Sequence, residues 1–89
     1  MKHWSIDVQG RVQGVFFRAS TMEMASKLGI NGYVKNMPDG SVHIEAEGTE
    51  ESLQAFVDWC HGGPPNALVT AVDFREDAIA GFNEFEIRR

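Results

Sequence analysis

Polar and apolar residues alternate at the start of the chain, with Trp4, Ile6 and Val8 separated by Ser5, Asp7 and Gln9. A period of two sends each set to one face of a strand, so the pattern predicts a strand with one covered and one wetted side, ending at Gly10. From Phe16 to Leu28 the residues suit a helix, with Met22, Ala25 and Leu28 as a modest apolar stripe and Gly29 as its stop. Two strands follow, Ile30 to Asn36 and Ser41 to Glu47, joined by Met37-Pro38-Asp39-Gly40, whose proline and glycine suit a tight reversal. In the second of these strands Val42, Ile44 and Ala46 face one way and His43, Glu45 and Glu47 the other, which predicts an exposed sheet surface.

A second helix is announced by Thr49 at the N-cap position and by Glu50 and Glu51, which lie where the helix dipole favours negative charge. Leu53, Phe56, Val57 and Cys60 then fall at i, i+3, i+4 and i+7, the stripe of a helix with one buried face. It should stop near His61-Gly62-Gly63, ahead of Pro64-Pro65. Ala67 to Arg75 and the short Glu84 to Arg88 segment read as strands. The order βαββαβ, with a short fifth strand, packs most simply as an antiparallel sheet with both helices on one face, the α+β sandwich called ferredoxin-like. Eighty-nine residues, 43% of them hydrophobic, suffice for a single domain over 1–89 around one core.

Charge sharpens this picture through its distribution. The chain carries −5 in all, which argues against a general nucleic-acid binder. Residues 1–40 hold Lys2, Arg11, Arg18, Lys27 and Lys35 against three acids, a balance of +2, whereas residues 41–89 sum to −7. A site for an anion is therefore expected in the N-terminal part. Met1-Lys2-His3-Trp4 leads into polar residues with no apolar stretch of an export signal, and no run is long enough to span a bilayer. Cys60 is the only cysteine, which excludes an internal disulfide. A cytoplasmic protein is the expectation, with neither membrane nor nucleic acid as a partner.

The chemistry is concentrated in Val8-Gln9-Gly10-Arg11-Val12-Gln13-Gly14-Val15-Phe16-Phe17-Arg18. Two glycines around a short loop let successive backbone N–H groups turn inward, and the start of a helix adds free donors, which together make a cradle suited to phosphate. Arg18, a cation in the first turn of a helix, sits at the positive end of the dipole and is unfavourable there unless an anion lies between. The other reading of Arg18 is a solvated side chain whose stem covers the core edge. The loop lacks the lysine followed by serine or threonine that a nucleotide-binding P-loop needs, so nucleoside triphosphates are not the expected ligands.

These residues resemble the acylphosphatase family. Val8 through Arg18 matches its first motif, an aliphatic residue followed by x-Gly-x-Val-Gln-Gly-Val-x-Phe-Arg, at every specified position. Gly32-Tyr33-Val34-Lys35-Asn36, Gly40, Val42 and Gly48 match the second. The resemblance implies hydrolysis of a small-molecule acyl phosphate to a carboxylate and inorganic phosphate, by a monomer, with no metal or other cofactor. It implies that the amides of Gln13, Gly14, Val15, Phe16, Phe17 and Arg18 hold the phosphate, that Arg18 also binds its oxygens, and that Asn36 positions the attacking water. Inorganic phosphate is then both product and competitive inhibitor. Met37, where the family often has a small polar residue, is the neighbour expected to alter rate. Without the resemblance, Asn36 reads rather as a turn residue ahead of Pro38-Asp39-Gly40.

The competing reading is a non-catalytic phosphate or anion-binding module. An RNA binder of the same element order would need exposed aromatic residues on the sheet face, where this chain offers Ser41, His43, Glu45 and Glu47. His3, His43 and His61 are scattered along the chain and are expected at the surface, Cys60 is expected to pack, and Phe16 and Phe17 are expected to brace the loop.

Overall fold

The computed structural model describes residues 1–89. The elements run β1 (Lys2–Arg11), α1 (Phe17–Leu28), β2 (Asn31–Asn36), β3 (Val42–Gly48), α2 (Glu50–Gly62), β4 (Leu68–Asp77) and β5 (Phe85–Arg88). They form one sheet in the order β4-β1-β3-β2-β5. Antiparallel pairing sets Trp4 opposite Ala46, Ile6 opposite Ile44 and Val8 opposite Val42, so the period-two residues of β1 and β3 share one face. That face is sealed by the helices, and Ile6, Val8, Val42 and Ile44 are completely buried.

The antiparallel arrangement holds for four strands and fails for the fifth: β5 pairs parallel with β2, Gly32 opposite Phe85 and Val34 opposite Ile87. The cause is the path of residues 78–84. They leave β4 at one edge and reach the opposite edge by crossing the helix-free face, so that β5 enters beside Gly32 and runs with β2. The crossing is anchored by the Glu47 carboxylate, which accepts from the amides of Ala80 at 2.5 Å, Gly81 at 3.1 Å and Phe82 at 3.0 Å. Asn31 donates to the Phe82 carbonyl at 3.2 Å, and the Gly32 amide donates to that of Glu84 at 2.9 Å.

This crossing also overturns the expectation of a wet sheet face. Glu47 is only 3% exposed and His3 only 4%. His3 sets Nδ1 against Glu47 at 2.7 Å and Nε2 against Glu45, while His43 sets Nδ1 against Asp7 at 2.7 Å and Nε2 against the other oxygen of Glu45. Two histidines that lie far apart in the chain thus share one carboxylate, because the β1–β3 register brings them together. His61 alone stays at the surface, in the last turn of α2.

Helix α2 forms as its spacing predicts, with Thr49 accepting from the Ser52 amide at 3.1 Å and Leu53, Phe56, Val57 and Cys60 buried. Burial pushes the Cys60 thiol up to about 12, so it packs and does not react. In α1 the buried face is Phe17, Thr21 and Ala25, and Met22 is 40% exposed instead of lying on the stripe. Phe17 sets this face: its ring packs tilted on Trp59 with centroids 5.5 Å apart, and positions four and eight residues on follow it inward.

Two predictions follow from the sheet. Gly32 has φ 144°, and a Cβ there would collide with the carbonyl oxygen of Glu45 in the neighbouring strand. Gly32→Ala should destabilise the protein by on the order of 3 kcal/mol, read as a lower midpoint in urea. The second concerns pH. Burial by itself would lower the His3 pKa, but hydrogen bonds to Glu45 and Glu47 outweigh it and raise it above 6.5. Burial likewise opposes ionisation of Glu47, yet the Ala80 amide, His3 and the amides of Phe82 and Gly81 hold its pKa below 4.5. The stability from His3 is full below 6.5 and is lost as pH rises through its raised value; that from Glu47 is full above 4.5 and is lost as pH falls through its depressed value. Urea midpoints should therefore be highest between these limits, and Glu47→Gln should lower the plateau by about 2 kcal/mol and flatten both flanks.

Candidate active site

Because β1 and β2 both pair antiparallel with β3, and β5 runs with β2, the three strands end at the same end of the sheet. Helix α1 begins there. The loop between β1 and α1 is pinned at its two ends by Val12 and Phe17, 1% and 2% exposed. Between them the backbone alternates in sign, with Gly14 at φ 73° and Phe16 at φ 63° flanking Val15. Such alternation turns successive N–H groups toward one side and makes a concave anion site. The amides of Gln13 to Phe16 have no acceptor in the chain, and those of Phe17, Arg18 and Ala19 are the free donors of a first helical turn, the first helical bond being Ser20 N–H to the Phe16 carbonyl at 3.0 Å.

Gln13 fixes this loop from the side. Its Nε2 donates to the carbonyls of Met37 at 2.8 Å and Ser41 at 2.9 Å, tying the loop to the β2–β3 reversal. The reversal is itself closed by Asp39, which accepts from the amide and the hydroxyl of Ser41 at 2.9 and 2.6 Å.

Side chains complete a cavity of about 370 Å³ at this end of the sheet. Gly14, Phe16, Phe17, Arg18 and Asn36 line it together. The other two expected positions do not: the Gln13 side chain is spent on the reversal, and Val15 packs against the hydrophobic core. Asn36 ends β2 on the same face as Val34, which aims it at the start of α1. Its Oδ1 is buried and has no donor in the chain. A buried acceptor left open costs about 1–3 kcal/mol, so its retention beside a cavity calls for a ligand-side donor.

Arg18 is half-buried, and its Nη1 donates to the Arg88 carbonyl at 3.4 Å. Phe16 and Phe17, expected to brace the loop as a pair, are divided by the turn between them: Phe17 enters the core and Phe16 remains 79% exposed. Ile87 and Arg89 also line the cavity, and reading the residues alone did not find them. Their period-two spacing with Phe85 was visible, but only the parallel pairing of β5 brings that face to this site. It also returns an arginine of the acidic C-terminal part to the cationic end of the fold. No Asp, Glu, His, Cys or Lys lines the cavity. The site is equipped to hold and orient a small oxyanion and a polar reactant beside it, and has no side chain fit to exchange protons near neutrality.

Comparison with known proteins shows the family. The family model described as Acylphosphatase matches residues 4–87. The acylphosphatase of Methylococcus capsulatus is 51% identical over 90 residues, covering 100% of this chain and 98% of that protein. That of Rubrobacter xylanophilus is 48% identical over 88 residues, covering 98% of this chain and 80% of its relative. The crystal structure of acylphosphatase from Bacillus subtilis superimposes with a TM-score of 0.97 at 41% identity, and all of each chain is covered. By sequence over nearly its whole length, and by the fold that carries the loop and Asn36 to one cavity, this chain belongs to the acylphosphatase family.

Proposed function

We propose that the chain hydrolyses acyl phosphates by holding the phosphoryl group on the amides of residues 13–18 and on the Arg18 guanidinium while Asn36 orients the attacking water. The observation that carries this reading is a cavity lined by Gly14, Phe16, Phe17, Arg18 and Asn36, in a chain where the loop amides have no acceptor and the Asn36 Oδ1 no donor.

The lack of an acid or base in the lining suits this reaction. The bond that breaks joins phosphorus to a carboxylate oxygen, and a carboxylate leaves as a stable anion, its conjugate acid having a pKa of about 4. No proton need be delivered to it. What remains is to bind the phosphoryl group, align the nucleophile and stabilise charge spread over the equatorial oxygens in a loose transition state. Backbone N–H groups fixed by the loop do so without reorganising, and a guanidinium grips two oxygens at once. Because nothing in these steps requires a Lewis acid, turnover should be insensitive to chelator.

Asn36 contributes direction. Its carbonyl oxygen accepts from water and its amide group donates, so the water is held along one line of approach. The water attacks phosphorus, the P–O bond to the acyl group breaks, and the proton released passes to solvent or to the product phosphate. Inorganic phosphate presents the same oxygens to the same donors and competes with substrate. All of these groups come from one chain, so the monomer is the active unit. No helix of the structure is long and apolar enough to cross a membrane.

Release of phosphate from benzoyl phosphate in the presence of chelator tests the assignment. Arg18→Gln should lower kcat on the order of 10²–10³-fold, and a variant turning over at the parental rate would refute its role. Asn36→Ala should lower kcat on the order of a hundredfold while inhibition by inorganic phosphate persists; binding without turnover in the parent protein would instead identify an anion-binding module. Gln13→Ala should cost about 1 kcal/mol of stability and speed amide hydrogen exchange across residues 12–17, since it releases the loop from the reversal.

A further inference from the structure

The lining of the cavity beside Arg18 is mixed: Gly14, Arg18, Asn36 and Arg89 bring polar groups to it, and Phe16, Ala19 and Ile87 bring apolar surface. Val12 and Phe17, 1% and 2% exposed, form its floor, whereas Phe16 and Ile87, 79% and 40% exposed, stand at its mouth.

The anion loop accounts for the left-handed turn at Phe16, but nothing in the fold accounts for the ring that this turn carries. Phe16 is the only residue other than glycine with a positive φ, 63° with ψ 23°, a left-handed conformation in which Cβ crowds the backbone. Glycine would take up the same turn without that strain. The ring gains no burial in return, since 79% of the residue faces solvent and it lies outside the core. It offers no side-chain cap to the helix it precedes. A strained backbone position that carries a large exposed apolar ring at the rim of a binding cavity is explained by contact with what enters the cavity.

We propose that Phe16 is a specificity-determining residue that receives the acyl side of the substrate, and that the site favours acyl phosphates with an aromatic or bulky apolar acyl group over acetyl phosphate. This rests on the reading of the cavity as an acyl phosphate site. With the phosphoryl group on the loop amides and Arg18, the uncharged remainder of the substrate extends to the mouth, where Phe16 and Ile87 present apolar surface. An aromatic acyl group stacked on Phe16 gains a contact that a methyl group cannot make.

The test compares kcat/KM for benzoyl phosphate and acetyl phosphate in the parent protein and in Phe16→Ala, Phe16→Gly and Phe16→Tyr. Taking the ratio of the two substrates cancels any change in the phosphate cradle common to both. The benzoyl-to-acetyl ratio should fall on the order of tenfold in the alanine and glycine variants, chiefly through KM for benzoyl phosphate, and survive in the tyrosine variant. Phe16→Gly, which removes ring and strain together, should melt a few degrees above Phe16→Ala. A ratio equal in all four proteins overturns the proposal. Affinities for benzoylphosphonate and acetylphosphonate, whose P–C bond is not hydrolysed, give the same ratio without turnover. If the parent protein turns over neither substrate, the catalytic reading falls, and these affinities still decide the role of Phe16: an aromatic preference lost in Phe16→Ala supports it, and no preference, or one retained in that variant, overturns it.

Discussion

Unshared backbone donors at the start of α1 are the constraint around which this end of the molecule is organised. A helix leaves its first N–H groups without acceptors, and here the preceding loop adds those of Gln13 to Phe16. Left-handed turns at Gly14 and Phe16 point them to one side, the buried Val12 and Phe17 hold the ends of the loop, and Gln13 ties its flank to the β2–β3 reversal. The positive potential so gathered is increased by the side chains of Arg18 and Arg89, and no Asp or Glu side chain stands in the lining. An anionic ligand is the natural complement of such a place, and the fold supplies its position at the joint end of three codirectional strands.

The opposite face of the sheet solves a different problem. It carries three carboxylates and two imidazoles on adjacent strands, and acids set side by side there would repel one another. Imidazoles separate them: Glu47, His3, Glu45, His43 and Asp7 form a continuous hydrogen-bonded chain in which each histidine stands between two acids. The outermost carboxylate, Glu47, spends its remaining capacity on the amides of the crossing segment. Arg88, at the end of that path, stacks over Tyr33 with its guanidinium 3.9 Å from the ring centroid. The route from β4 to β5 is thus secured by charge, and β5 in turn delivers Ile87 and Arg89 to the cavity.

Much of this was legible in the chain itself. The elements of the sandwich follow from periods of two and of three to four, and α2 is complete down to its threonine cap because cap and stripe are local features. The loop and Arg18 stood out through the two glycines and the helix start, whereas Asn36 was singled out only through the resemblance to the family's second motif. What the sequence did not disclose is non-local. The direction of β5 depends on where residues 78–84 cross, the meeting of His3 with His43 depends on strand register, and the outward turn of Met22 depends on Phe17 claiming the buried face of α1. Alternating polar residues on β3 read as solvated because nothing in their own segment reveals the cover that arrives more than thirty positions later.

The position of β5 carries one more consequence. A sheet margin with free peptide groups invites another chain to add to it, and β5 occupies the margin that β2 would otherwise present. The remaining margin, β4, bears Asp73, Arg75, Glu76 and Asp77, whose charges discourage docking of a second molecule. Residues 85–89 therefore cover a sheet margin while two of them, Ile87 and Arg89, line the cavity. Loss of this one short strand would bare an adhesive flank and strip a wall from the cavity in a single event.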